Sequence, residues 1–150
     1  MAKIYISSSW KQRERVRALA LVLRADGHEV YDFTDPACRR APEIPPEAFP
    51  EQFDPQKHVY RDYLNSQPHW RGAVFGNREA LKWCDAVVLL LPCGNDAHAD
   101  WALAVGMGKH SCVVGHPVAG DRTPSHLWAD ALLDHDAQAR GWLAEVFGGQ

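Results

Sequence analysis

The sequence lacks an excess of charge of either sign and any long apolar run. Its 150 residues contain 16 Lys and Arg against 19 Asp and Glu, so the formal net charge is -3. This balance gives no general attraction to nucleic acid or to an anionic membrane. No segment approaches the roughly 20 apolar residues of a membrane-spanning helix, and the start of the chain turns polar too early for a signal peptide. We therefore expect a cytoplasmic protein that binds neither a membrane nor a nucleic acid polymer.

Cysteine pairs and familiar cofactor motifs are also missing. The four cysteines show no CxxC spacing, and three lie in or beside apolar, strand-like segments, which favours reduced packing residues over zinc ligands or disulfides. The eight histidines form no HExxH motif and no tight cluster with cysteine, so we predict no metal site. No GxGxxG follows the first predicted strand, which excludes the usual dinucleotide fingerprint. We expect no cofactor.

What the sequence does contain is an alternation of strand and helix patterns. Strands are predicted over residues 3–6, 28–33, 85–91 and 111–115. Helices are predicted over residues 11–25, 58–66, 74–83, 99–109, 125–133 and 138–147. Such alternation predicts an α/β fold, a three-layer flavodoxin- or Rossmann-like parallel sheet of four to five strands flanked by helices. In the helix over 74–83, we expect Val74, Ala80 and Leu81 to face the core.

Residues 34–57 contain six prolines and no periodicity. A segment of this length without secondary structure is often functional, and we interpret it as an insertion over the sheet edge of a single domain spanning 1–150. Within it, Arg39 and Arg40 could meet a phosphate, although adjacent loop arginines are usually solvated. Aromatic and imidazole side chains in and after the insertion could cover a pocket: His58, Tyr60, Tyr63, His69 and Trp70.

The most informative segment follows the apolar run over 85–91. Four polar residues, Asn95, Asp96, His98 and Asp100, lie where this strand passes into a small-residue helix. Ligands of open α/β sheets bind at this edge, so we predict that all four contribute to a site. Asp100, placed on the first turn of the helix, could instead be its N-cap or its dipole partner. Asn95 and Asp96 equally suit capping, and His98 could simply be a packed histidine.

Further candidates follow the first two strands. Ser7, Ser8 and Ser9 end strand one, where hydroxyls and amides suit a base edge or a phosphate, although Ser8 or Ser9 could also cap the next helix. Trp10 could stack on a base or lie in an interface. Asp32 ends strand two, where it could bind a ribose hydroxyl or begin a turn.

Together these segments resemble the nucleoside 2-deoxyribosyltransferase-like family. The resemblance rests on strand one with its polar end, on Tyr31-Asp32-Phe33, on Pro92-Cys93-Gly94 with Ala97-His98, and on the helix from Asp100 through Gly106 to Lys109. It covers nearly the whole chain. The family includes 2'-deoxynucleotide N-hydrolases and cytidylate N-glycosidases and is distantly similar to TIR domains. The resemblance implies a nucleoside or nucleotide as the small-molecule partner and a homodimer in which one subunit closes its neighbour's pocket.

The resemblance also implies two site carboxylates, and the chain departs from both. The family has a Glu that acts at the anomeric carbon, and counting back from Lys109 places Asp100 there, one methylene shorter. A second family carboxylate falls on Asn77 when counted back from Asp85, so hydrogen bonding is kept and charge is lost. Cleaving a C1'–N bond develops positive charge on the sugar, which a carboxylate stabilises or captures as an ester. Asp100 is the predicted catalytic residue.

Three functions are therefore weighed. The first is N-glycosidic bond cleavage or transfer on a nucleoside or nucleoside 5'-monophosphate. The second is a catalytically weak nucleotide-binding or sensing domain, which the departures at Asn77 and Asp100 favour. The third is a TIR-like NAD-cleaving domain, which would need Glu in place of Asp100. Six tryptophans are many for this length, and Trp128 and Trp142 are candidates for an exposed homodimer face.

Overall fold

A parallel sheet forms the centre of this computed structural model, which describes residues 1–38 and 53–149. Within those residues the sheet has five strands in the order β2-β1-β3-β4-β5, and every neighbouring pair is parallel. The strands are β1 Lys3–Ser7, β2 Glu29–Asp32, β3 Ala86–Leu90, β4 His110–Val114 and β5 Ala131–Leu133. The predicted α/β class and parallel sheet are confirmed.

Helices cover both faces of this sheet. They are α1 Arg13–Ala25, α2 Tyr60–Asn65, α3 Pro68–Trp83, α4 Asn95–Gly106 and α5 Asp136–Phe147, with 3-10 turns at Trp10–Gln12 and Pro124–Trp128. None of the helices in the described ranges is long and apolar enough to cross a bilayer.

Alternation along the strands divides the core in two, because successive side chains point to opposite faces of a sheet. Ile4 and Ile6 of β1 pack with residues of α1 and α5. Tyr5, between them, lies in the other cluster with residues of α3 and α4. The parallel register pairs Tyr5 with Tyr31 of β2, so both tyrosines lie on the face that α3 and α4 cover.

The prediction of a helix over 125–133 was wrong. A 3-10 turn at Pro124–Trp128 is followed by strand β5, which pairs with Cys112–Val114 of β4. A strand of three residues is too short to show an alternating pattern, and long-range pairing with β4 overrides the local helical pattern.

Helix α4 begins four residues earlier than predicted, with Gly94 as its N-cap. Asp100 therefore lies in the second turn, not the first, and the alternatives that made it an N-cap or a first-turn dipole partner were wrong. Asn95 and Asp96 are the first two helical residues rather than caps. Gly94 interrupts no apolar pattern and has no side chain to form a cap, so little in the sequence marks a helix start at this point.

Two predictions about apolar side chains also need correction. Val74 is 64% exposed, whereas Ala80 and Leu81 are buried as expected. Its neighbour Phe75 is 54% exposed as well, so the buried face of α3 lies nearer its C-terminal end. Trp142 is buried against the sheet at 8% exposure and is not available to a partner, whereas Trp128 is 64% exposed. Residues 39–52 of the predicted insertion, including Arg39 and Arg40, lie outside the described residues.

Candidate functional site

Helix α4 places Asp100 against the middle of β1 rather than beyond the end of the sheet. The side-chain hydroxyl of Ser7 donates to the carbonyl of Ala97 at 3.0 Å, which ties the first turn of α4 to the end of β1. Ala97, Trp101 and Ala104 are the buried side chains of the helix. With small residues before and after Trp101, α4 lies close to the sheet, and the partly buried carboxylate of Asp100 reaches Tyr5.

Both side-chain donors to Asp100 converge on one of its oxygens. The Tyr5 hydroxyl donates to Oδ2 at 2.8 Å, and the Asn77 amide donates to the same atom at 3.0 Å. Within the described residues no hydrogen bond reaches Oδ1. The carboxylate is therefore held through one oxygen, Oδ2.

Asn77 is itself held from its other side. The Tyr31 hydroxyl donates to Oδ1 of Asn77 at 3.2 Å. The rings of Tyr31 and Tyr5 stack with centroids 4.9 Å apart and planes 13° from parallel, as their paired register requires. Asn77 and Asp100, which the sequence placed in one site, are in contact here, and two tyrosines complete the group.

Burial dominates the electrostatics of this group. Removal from water raises the pKa of Asp100, the hydrogen bonds from Tyr5 and Asn77 lower it, and the charge of Asp96 raises it further. Burial and the charge of Asp100 raise the pKa of Tyr5 well above its ordinary value, so its hydroxyl stays protonated and remains a donor. A carboxylate with few donors in a partly dry setting is a stronger partner for developing positive charge than one in water.

The serines after β1 bind backbone groups and do not cap α1. The Ser8 hydroxyl donates to the Leu90 carbonyl at 3.0 Å, as Ser7 does to Ala97. Ser9 precedes the first 3-10 turn without a side-chain cap, and Gln12 occupies the N-cap position of α1. The capping alternative was therefore wrong for Ser8, whereas Ser9 is the N-cap residue of the 3-10 turn but makes no side-chain cap there. The Ser8 hydroxyl joins the ends of β1 and β3, and the Ser7 hydroxyl joins β1 to α4.

Trp10 follows the end of β1, and Asp32 is the last residue of β2. Trp10 is 47% exposed, and its ring meets Phe33 edge-on with centroids 5.5 Å apart. Asp32 is fully buried, and its Oδ1 accepts from the Thr34 amide at 2.8 Å. The turn role weighed for Asp32 is thus present, whereas contact of Trp10 or Asp32 with a substrate stays a prediction.

His98 has a partner that the sequence analysis did not single out. Its Nε2 lies 3.0 Å from Nε2 of His126, and the two rings stack with centroids 5.1 Å apart. At this distance one nitrogen must donate and the other accept. Its Nδ1 lies 3.0 Å from the Gly94 carbonyl. Burial and the neighbouring His98 lower the pKa of His126, which favours the neutral form of His126.

Cys93 lies beside this pair, with Sγ 3.4 Å from Nδ1 of His98. Burial raises the pKa of the Cys93 thiol to about 11. A protonated thiol is a poor nucleophile, so the contact does not make a cysteine–histidine catalytic dyad. Across the described part of the chain no group of three His, Cys, Asp or Glu side chains is arranged to hold a metal ion.

The aromatic residues expected to cover a pocket form a cluster of their own. Phe53 meets Tyr60 and Tyr63 edge-on at 5.1 and 5.3 Å, and Tyr63 meets Trp70 at 5.6 Å. The side chain of His69 lies outside the described residues. A surface cleft adjoins this cluster between Lys57 and Gln67.

Another cleft adjoins β2, and its lining includes Tyr31 of that strand, Arg24 of α1 and Trp83 of α3. Asp100 lines neither of these two clefts. A sugar-binding cavity beside the carboxylate therefore stays a prediction.

Sequence comparison gives no match, since no family model and no curated protein sequence matches the chain. Solved structures do match. One is a 2-deoxyribosyltransferase from the psychrotolerant bacterium Bacillus psychrosaccharolyticus, with 20% identity and a TM-score of 0.58 over 92% of this chain and 90% of that one. Another is a CMP N-glycosidase from Clostridium botulinum, with 13% identity and a TM-score of 0.48 over 94% of this chain and 97% of that one. The predicted resemblance is confirmed for the fold.

Proposed function

We propose that this chain cleaves or transfers at the N-glycosidic bond of a nucleoside or a nucleoside 5'-monophosphate, with the Asp100 carboxylate acting at C1'. The observation that carries the proposal is the carboxylate itself, which is partly buried, held through Oδ2 by Tyr5 and Asn77, and without a hydrogen bond at Oδ1 within the described residues. The near full-length likeness in fold to a 2-deoxyribosyltransferase supports the same chemistry.

The chemistry follows from the charge that develops. As the C1'–N bond breaks, its electron pair leaves with the base and positive charge spreads over C1' and the ring oxygen. Oδ1 of Asp100 either stabilises this charge or forms a bond to C1' as a glycosyl ester. In hydrolysis, water then gives its hydroxyl to C1' and a proton to the departed base. In transfer, a nitrogen of a second base attacks C1' in place of water, and the proton that this nitrogen loses goes to the departed base.

Substrate contacts are proposed for the residues at the carboxyl ends of β1, β2 and β3. Asn95 and Asp96 are exposed on the first turn of α4, where backbone N–H groups suit a phosphate or a sugar hydroxyl. Trp10 offers an exposed ring for a base. The proposed substrate-binding set is completed by Ser7, Ser8, Ser9, Asp32, Asn77 and His98.

The test is base release from a panel of nucleosides, nucleotides and NAD, followed by chromatography. We expect release from at least one nucleoside or nucleoside monophosphate, and we expect Asp100→Ala to reduce it about 100- to 1000-fold, as removal of a transition-state charge partner does. Asp121→Ala is the matched control, because that carboxylate is exposed. Equal loss in both variants, or release from NAD alone, would contradict the proposal.

A second function, nucleotide sensing without cleavage, is favoured by one observation. Asn77 is neutral and its amide is already engaged between Tyr31 and Asp100, so it has no proton to give to a leaving base. A sensor would show a ligand-dependent rise in melting temperature without any release of base from the same panel.

A further inference from the structure

The hydrogen bonds around Asn77 have a direction that chemistry fixes. An ionised carboxylate only accepts hydrogen bonds. The atom of Asn77 that lies 3.0 Å from Oδ2 of Asp100 must therefore be its NH2 group. Its carbonyl oxygen is then turned to Tyr31, which must donate. The choice between the two amide orientations, often ambiguous, is settled here by the Asp100 carboxylate, because the Tyr31 hydroxyl could pair with either end of the amide.

We propose that Tyr31 is a positioning residue for Asp100, acting through Asn77. By donating to the Asn77 carbonyl it anchors and polarises the amide whose N–H points to Oδ2, and this leaves Oδ1 as the oxygen that faces C1'. The catalytic part of this inference rests on the proposed function, whereas the orientation of the amide does not.

The contact with Tyr31 strengthens the donor that Asp100 accepts. A turned Asn77 amide would place its carbonyl oxygen 3.0 Å from Oδ2, acceptor against acceptor, so the ionised carboxylate sets the orientation. A tyrosine hydroxyl can donate or accept, and here it donates to the Asn77 carbonyl. That hydrogen bond polarises the amide and strengthens the hydrogen bond that its N–H donates to Oδ2. Without it, Asp100 would accept a weaker hydrogen bond and would hold its proton to higher pH, and a neutral Asp100 cannot stabilise positive charge on a sugar.

Because Asn77 is uncharged, it places no second negative charge at hydrogen-bonding distance from Asp100. Two carboxylates at hydrogen-bonding distance do not both ionise readily. From the elements packed on α4, Tyr5 of β1 and Asn77 of α3 face Asp100, and Asp96 one turn earlier adds negative charge. A carboxylate in place of Asn77 would add to the burial that already opposes ionisation.

The test is Tyr31→Phe, which keeps the ring stacked on Tyr5 and removes only the hydroxyl. Tyr60→Phe is the matched control, since that ring is 60% exposed. Carbon-13 NMR follows the titration of the Asp100 carboxyl, identified by its loss in Asp100→Asn. We expect the titration midpoint to move to higher pH in Tyr31→Phe and to stay in place in Tyr60→Phe. An unchanged midpoint in Tyr31→Phe overturns the inference.

Kinetics give a second readout on the substrate found in the base-release panel. We expect kcat of Tyr31→Phe to fall about five- to tenfold, the value of one hydrogen bond, with KM within about twofold. Activity needs ionised Asp100, so the acid limb of the pH profile should move upward with the NMR midpoint. A loss of kcat with an unmoved acid limb would overturn the inference.

Two further variants keep the result decisive. Asn77→Leu removes the hydrogen-bond donor to Asp100 directly. It must raise the titration midpoint of Asp100 at least as far as Tyr31→Phe does, and it provides the measurement if the Tyr31→Phe variant fails to fold. Asn77→Asp must give two coupled titrations in place of one. If the midpoints move as expected but no variant and no original chain releases base, the proposed function fails while the orientation of Asn77 stands.

Discussion

At the scale of single residues, Asp100 is a charge placed where folding alone would not put one. Burial opposes its ionisation and outweighs the two hydrogen bonds that it accepts, so the net effect on its pKa is upward. Sites that carry out chemistry often hold groups in such states at the expense of stability.

The expected change in the free energy of unfolding of the Asp100→Asn variant follows from this balance. Because folding raises the pKa of Asp100, the folded chain binds that proton more tightly than the unfolded chain. The free energy of unfolding then falls as pH rises from the ordinary carboxyl pKa to the raised one. Asparagine does not ionise, so the variant loses no stability over this pH range. At pH 7 the free energy of unfolding of Asp100→Asn should therefore equal that of the original chain or exceed it by on the order of 1 kcal/mol.

Urea unfolding at neutral and acid pH measures the difference. The gain should disappear at a pH below the ordinary carboxyl pKa, where Asp100 is neutral in both states, and the exposed Asp121→Asn should show no such pattern. A destabilisation of about 2 kcal/mol or more at pH 7 would show that the carboxylate is structural.

Sequence reasoning found half of the group around Asp100. Asp100 and Asn77 followed from counting along a resemblance, and the structure brings them into contact. Tyr5 and Tyr31 were missed because they lie within strands whose pattern predicts plain core. The available signal was that a buried tyrosine hydroxyl usually needs a polar partner, and two tyrosines at paired positions of neighbouring strands point to one. His126 was missed because its segment was taken for a helix.

At the scale of elements, three parts of the chain meet around Arg15 of α1. Its guanidinium forms an ion pair with Asp136 at the start of α5 and donates to the Leu91 carbonyl after β3. Gly115, which follows β4, lies against the same atoms with φ of +90°. A Cβ there would lie 3.0 Å from the Leu91 oxygen and 3.2 Å from Nη2 of Arg15.

Gly115→Ala should therefore destabilise the fold by two effects. The left-handed backbone costs about 1 to 2 kcal/mol for alanine, and crowding of the Leu91 carbonyl adds roughly 1 to 3 kcal/mol. Gly120→Ala is the matched control, with φ of +92° and no atom within 4 Å of a new Cβ. Urea unfolding should show the larger loss for Gly115→Ala. Equal losses would mean that the close approach has no energetic weight.

Element boundaries were the weakest part of the sequence prediction. The central strands β3 and β4 were found because both faces are buried, which gives continuous apolar runs. The start of α4 was missed because Gly94 caps it through the backbone alone, without a side-chain hydrogen bond. Strand β5 exists only through its pairing with β4, a contact that no local pattern records.

At the scale of the whole molecule, the homodimer expected from the sequence stays a prediction. Of the two tryptophans named for it, Trp128 is exposed and Trp142 is part of the core. Sedimentation velocity of the full chain should give twice the 16.8 kDa of one chain, and Trp128→Ala should weaken the association. A single species of one-chain mass at tens of micromolar would contradict it.

The Asp100 oxygen that accepts no hydrogen bond within the described residues has, under the proposed function, a consequence for inhibitor design. A sugar mimic with a protonated ring nitrogen at the anomeric position would then place its cation against Oδ1, where a charge-assisted hydrogen bond is stronger than a neutral one. Its affinity would come mainly from that cation, so one iminosugar scaffold carrying different bases would show which base the protein prefers.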